Sequence, residues 1–254
     1  MTSTLGLSTH ESTSRRDSVS ATATTGGHVL NLEPGRKSHL VFLTDPFGLP
    51  TEQYKILRRR LINVYPNGGV FLITSPGPGE GKTLISTNLA WSLADAGHRT
   101  CLVDLDFRAP GVFHTLGAPA CTDGVEDLLD GHRTLKQVVH QIADTNLHVL
   151  GVRKRLDSPG KLLSSSAILP LLAQLRVEFE WVILDFAPVI PMADVSEVLP
   201  HVTGALMVIR SGKTSRKMIP ASLEILGSRL CGVVLNDAVI QGSAYYGSYG
   251  SSRP

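Results

Sequence analysis

The chain predicts an α/β fold: a mostly parallel sheet with helices on both faces. Three observations predict it. Short apolar runs of strand length alternate with segments of helical periodicity from about residue 50 to residue 236. The run Val70 to Thr74 breaks into a glycine-rich turn and a helix, in the stretch GVFLITSPGPGEGKT at 69–83. Two further runs, Cys101-Leu102-Val103 and Trp181-Val182-Ile183-Leu184, each end in aspartate.

The 69–83 stretch organises the rest. Strand, turn and helix follow in the order of a phosphate-binding loop, and Lys82 opens an amphipathic segment through Leu84, Leu89, Trp91 and Leu93. Gly77, Gly79 and Gly81 allow successive backbone N–H groups to turn onto phosphate oxygens. Lys82 would reach the β and γ phosphates as a point charge, and Thr83 would hold Mg²⁺. The candidate nucleotide-binding residues are Gly77, Gly79, Glu80, Gly81, Lys82, Thr83 and Leu84, which makes the fold of the P-loop NTPase type. Pro76 stands where the strict pattern has its first glycine.

Composition bounds the chain. Its 254 residues, 42% hydrophobic and 18% charged, suffice for one sizeable core. Lys+Arg of 24 against Asp+Glu of 22 gives no overall field that would favour nucleic acid or an anionic membrane. Cys101, Cys121 and Cys231 lie far apart without metal spacing and read as reduced residues of a cytosolic protein. No apolar stretch approaches the ~20 residues needed to cross a bilayer, so membrane association would come through a partner.

Residues 1–38 are dominated by Ser, Thr and Gly, without apolar periodicity, and read as a disordered arm. The core domain is expected over 39–238 and a flexible tail over 239–254. From Thr51, placed as a cap after Pro50, Tyr54, Leu57, Leu61 and Val64 mark a helix whose other face carries Glu52, Lys55 and Arg58. Alone, that stripe reads as a solvated face complementing the helix dipole.

After the loop helix comes Asp104-Leu105-Asp106-Phe107-Arg108-Ala109-Pro110. In an extended chain Asp104 and Asp106 share a face at the carboxyl end of a strand, where open parallel sheets bind ligands. Such carboxylates can hold Mg²⁺ and accept a proton from an attacking hydroxyl. Between 111 and 180 the pattern gives helices at Val125–Leu129, Leu135–Ile142 and around Ile168–Leu175, with a strand at Leu147–Val152. His114, His132, His140 and His148 lack the spacing of a metal site and read as scattered surface histidines. Asp185 then ends a buried strand in the Walker B manner, reaching the Mg²⁺ shell opposite Thr83. Two more strands follow, at Ala205–Ile209 and Cys231–Leu235.

Together SPGPGEGKT, VDLDFRAP at 103–110, WVILDFAP at 181–188 and the Glu52/Lys55/Arg58 spacing resemble the bacterial tyrosine kinases of capsule and exopolysaccharide assembly, in the cytosolic form without its own transmembrane part. The likeness runs from about Pro46 to Asn236. It implies a protein-tyrosine autokinase using ATP and Mg²⁺, with Lys82, Asp104 and Asp106 catalytic and Thr83, Asp104 and Asp185 at the metal. It implies that Asn236 contacts the purine and that Glu52, Lys55 and Arg58 mediate self-association, with Lys55 where relatives carry arginine. The implied phosphoacceptors are Tyr245, Tyr246 and Tyr249, three of the five tyrosines, in a Gly- and Ser-rich tail. The implied partners are further copies of the chain in a homo-oligomer, a membrane-embedded polysaccharide chain-length or export adaptor, and a tyrosine phosphatase. Which aspartate is the base stays open. A nucleotide-binding regulator without catalysis is the alternative; a positioning ATPase is disfavoured because Gly77 occupies the place of that group's signature lysine.

Overall fold

The computed structural model describes residues 28–32, 38–191 and 194–238. In chain order the elements are β1 (His28–Leu30), α1 (Val41–Thr44), α2 (Leu49–Val64), β2 (Gly69–Thr74), α3 (Lys82–Asp95), β3 (Thr100–Asp104), α4 (Val112–Leu116), α5 (Val125–Leu129) and α6 (Leu135–Val138). Then come β4 (His140–Ile142), β5 (Leu147–Leu150), α7 (Ser165–Glu178), β6 (Trp181–Asp185), α8 (Asp194–Val198), β7 (Gly204–Arg210), α9 (Met218–Leu226) and β8 (Leu230–Asn236).

The eight strands form one sheet in the order β1-β4-β5-β3-β6-β2-β7-β8. Every neighbouring pair is parallel except β4 and β5. The expected architecture is therefore present. The central strands β2, β3 and β6 are buried almost throughout, which explains their unbroken apolar runs: helices cover both faces, so neither face needs polar residues. One layer of core joins α2, α3 and α4 to the sheet through Tyr54, Leu61, Leu89, Leu93 and Phe71. The other joins α5, α6, α7 and α8 through Val125, Leu135, Leu172, Leu175 and Val195.

Several local expectations are corrected. Leu135–Ile142 is not one helix: α6 stops at Val138, and His140–Ile142 turns into β4. The apolar residues suit either element over so short a span, and pairing with β1 and β5 decides the matter. The strand expected to Val152 ends at Leu150. Thr51 is not the cap of α2; Gly48 holds that position, Pro50 sits in the first turn, and the Thr51 hydroxyl donates to the Asp45 carbonyl at 2.7 Å.

His28–Leu30, inside the segment read as an arm without structure, forms an edge strand because β4 offers it a free ladder. His140 and His148 are buried, not at the surface: His140 lies against Phe113 and His28, and His148 against Phe179. The described cysteines are all free thiols. Among the described residues no helix is long and apolar enough to cross a membrane.

Candidate active site

The site lies at the carboxyl ends of β2, β3, β6, β7 and β8. Ser75 leads out of β2 with its hydroxyl on the Gly77 carbonyl at 2.7 Å. Val189 donates to the Ser75 carbonyl at 2.8 Å, so the segment after β6 braces the loop from below. Gly81, the residue before α3, has φ of +91°, and a Cβ there would collide with Asn236. Only glycine fits. The first amides of α3, from Lys82 onward, have no earlier carbonyl to meet within the helix. With the helix dipole they make an anion site.

Lys82, nearly buried, donates to Asp106 Oδ2 at 2.5 Å. Burial pulls its proton affinity down, but the charges of Asp185 and Asp106, with a smaller effect from Asp104, outweigh that and hold it above the ordinary lysine value. The Thr83 hydroxyl donates to Asp185 Oδ2 at 2.6 Å, while Asp185 Oδ1 is buried and accepts no hydrogen bond among the described residues. Asp104 and Asp185 are register partners on β3 and β6. Asp104 accepts from the amides of Asp106, Gly111 and Val112 at 3.1, 2.9 and 3.1 Å. Burial first, then the Asp185 charge, pushes Asp104 up to about 8. Burial likewise raises Asp185, against the pull of Lys82.

Asp104 and Asp106 do not project as two residues of one extended strand. The chain turns after Asp104, which caps its own loop, and the turn carries Asp106 across to Lys82. The fold thus gathers Lys82, Thr83, Asp104, Asp106 and Asp185 in one place. A cavity of about 280 Å³ opens beside them, with Asp104, Gly111, Phe113, His114 and Cys121 in its wall. Gly111 joins the two: a Cβ there would come within 3.2 Å of the Thr83 methyl.

A divalent cation fits these donors. The orphaned Asp185 oxygen and the Thr83 hydroxyl beside it offer hard oxygen ligands. Such a sparse set suits Mg²⁺, which keeps waters and takes phosphate oxygens.

Other candidates are placed differently. The Glu80 carboxylate is buried and taken by the Arg210 amide and the Thr214 hydroxyl, so only its main chain is available to a ligand. The Asn236 side-chain amide donates to the Glu80 carbonyl at 3.0 Å, beside the loop. Lys55 pairs with Glu52 at 2.8 Å within α2. Arg58 instead donates to the Ser92 carbonyl at 2.6 Å, at the end of α3. Tyr245, Tyr246 and Tyr249 lie outside the described residues. Sequence reading missed Arg210 and the Arg108–Asp194 ion pair, since a lone arginine carries no spacing signal.

The profile described as the CobQ/CobB/MinD/ParA nucleotide binding domain matches residues 71–239. The tyrosine-protein kinase YwqD of Bacillus subtilis (strain 168) is 31% identical over 219 residues, 84% of this chain and 92% of YwqD. The chain belongs to the bacterial tyrosine kinase family. This family member is also similar in structure to the VpsO kinase domain, with a TM-score of 0.68 and 32% identity over 75% of this chain and 96% of that one. The succinoglycan biosynthesis transport protein ExoP of Rhizobium meliloti (strain 1021) is 31% identical over 173 residues, 66% of this chain but 22% of ExoP. The kinase-family chain thus corresponds to one part of that longer relative. Its P-loop, its paired aspartate motifs and its sheet order make it a nucleotide-binding domain.

Proposed function

We propose that the chain is an ATP-dependent protein-tyrosine autokinase that phosphorylates its own tail at Tyr245, Tyr246 and Tyr249 and acts in exopolysaccharide or capsule synthesis and export. One observation carries the reading: Lys82, Thr83, Asp104, Asp106 and Asp185 converge at one place, and Asp104 also lines an adjoining cavity of about 280 Å³. The relatives' names, tyrosine-protein kinase and succinoglycan biosynthesis transport protein, supply the acceptor class and the setting.

The triphosphate of ATP would lie on the loop amides and the start of α3, and Lys82 would exchange Asp106 for phosphate oxygens. Bound Mg²⁺, held by Thr83 and Asp185, would supply positive charge that offsets the phosphates and favours ionised Asp104. The phenol, with an ordinary pKa near 10, needs a proton acceptor. Asp104 is the carboxylate in the cavity wall, and we assign it that role. Asp106, relieved of Lys82, is then free to hold the acceptor hydroxyl or a water. In the transfer, a bond forms between the tyrosine oxygen and the γ-phosphorus as the bond from that phosphorus to the bridging oxygen breaks; ADP leaves and the proton passes to Asp104. Positioning and charge supply most of the rate.

Self-association through α2 and activation by a membrane-embedded adaptor belong to the same proposal, as does reversal by a tyrosine phosphatase. Arg59 and Arg60, exposed on α2, leave cationic groups for a neighbour while Arg58 serves its own chain. The test is incubation of the purified chain with ATP and Mg²⁺, with and without an adaptor's cytoplasmic segment, followed by mass spectrometry. Phosphate is expected on the tail and is lost in Lys82→Met and in the triple Tyr→Phe variant. ATP binding with no label under either condition would instead favour a nucleotide-controlled regulator.

A further inference from the structure

The outer side of the phosphate loop is held by a residue that belongs to none of the motifs. Arg210 ends β7 in register with Asn236, the last residue of β8. Its Nη1 donates to the Gly79 carbonyl at 3.1 Å, and its Nε donates to Asp237 Oδ2 at 2.6 Å. Beside it, Asn236 Nδ2 donates to the Glu80 carbonyl. The Arg210 main-chain N–H donates to the Glu80 carboxylate at 2.9 Å. Two successive loop carbonyls are therefore drawn toward the β7–β8 end of the sheet.

That has a consequence for the amides. A trans peptide carries its C=O and N–H on opposite sides, so fixing the carbonyls of Gly79 and Glu80 turns the N–H groups of Glu80 and Gly81 away from β7 and β8. Glycines at 77, 79 and 81 would otherwise let these peptide planes rotate at little cost. Pro78 has no N–H to offer, which leaves more of the phosphate recognition to the amides that follow it. Arg210 is suited to the task because its fork can serve a carbonyl and a carboxylate at once.

We propose that Arg210 is a positioning residue of the nucleotide site: braced by Asp237, it holds the Gly79 carbonyl and so presets the Glu80 amide for the β-phosphate of a nucleoside di- or triphosphate. The proposal rests on the loop's nucleotide binding and is independent of phosphoryl transfer. Arg210 touches no ligand itself; it acts through the loop.

Competition against a fluorescent ADP, on the full chain, gives affinities for ADP and AMP. Arg210→Ala is expected to weaken ADP about tenfold, the scale of one hydrogen bond from a charged donor. AMP should weaken less than twofold, so the preference for ADP over AMP shrinks. Asp237→Ala, which removes the brace and leaves the arginine, should cost ADP about threefold, and Arg210→Lys should recover part of the loss. An ADP affinity unchanged in Arg210→Ala overturns the proposal, as does an equal loss for ADP and AMP, which would mean a general disturbance. If thermal melts without nucleotide show Arg210→Ala unfolded, Asp237→Ala and Arg210→Lys carry the same comparison. A chain that never labels its tyrosines would leave these affinities, and the role of Arg210, intact.

Discussion

Lys82 and Asp106 form a nearly buried ion pair, 2.5 Å between Nζ and Oδ2. The lysine is thereby neutralised by the residue that, in the proposed mechanism, releases it when nucleotide arrives. Asp185 also lies close enough to keep its charge favourable.

Asp106→Asn should make the free chain depend more on its nucleotide. The lysine loses its hydrogen-bonded counter-ion and keeps only the more distant support of Asp185, and a poorly compensated buried charge is costly. Thermal melts should show a lower midpoint without ligand and a larger upward shift on adding ATP and Mg²⁺ than in the parent. Tyrosine labelling should fall at least about 100-fold. An unchanged ligand-free midpoint would count against this view of the pair.

The pH dependence of stability has a definite sign. Asp104 holds its proton up to about 8 in the folded chain, whereas an unfolded aspartate loses it in the ordinary carboxylate range. The folded state therefore binds more protons between about pH 4 and 8, and stability should decline as pH rises through that window. Asp104→Asn should flatten the decline and raise the midpoint at pH 8, with Asp185 keeping part of the slope. Melts at intervals from pH 5 to 9, without nucleotide, would show it; a slope equal to the parent's would refute it.

Thr83→Ala strips Asp185 of a side-chain donor and removes a proposed cation ligand. The gain in ADP affinity on adding Mg²⁺ should drop about tenfold, a scale set by one charge-assisted bond. Titrations with Mg²⁺ and with EDTA give the ratio. Equal ratios in variant and parent would place the cation elsewhere.

Arg58 and Lys55 should part company in a stability assay. Arg58 donates to the Ser92 carbonyl at the end of α3, where a cation also complements the helix dipole, so Arg58→Ala should cost about 1–2 kcal/mol even in a monomer. Lys55 pairs with Glu52 at the surface, and Lys55→Ala should stay within about 0.5 kcal/mol. Urea unfolding beside sedimentation separates folding from assembly. Similar losses for both variants would contradict the assignment.

Motifs whose spacing encodes backbone geometry were readable in the sequence. The 77–83 loop, Asp185 at the end of a buried strand and the alternation of strands with helices all survive in the structure. What escaped was set by distant partners. Residues 28–30 become a strand by pairing with 140–142, and those pair in turn with β5. His140 and His148 are buried by Phe113 and Phe179, far from them in sequence. Asp106 meets Lys82 because the chain turns after Asp104, which alternation along a strand does not foretell. Arg58 and Arg210 act on α3 and on the loop across separations of 34 and 131 residues, and no local pattern marks either.

The two outer strands of the sheet, β1 and β8, belong to opposite ends of the described chain. Seven inter-strand spacings separate them, roughly 34 Å at about 4.8 Å each. A fluorophore or affinity handle on His28 itself would therefore sit several strands from the loop, whereas one at Asp237 would stand beside it. Energy transfer between a dye at the first position and a fluorescent nucleotide on the loop after β2 would thus span about five of these spacings, and a handle at the second would crowd the very ligand it was meant to report.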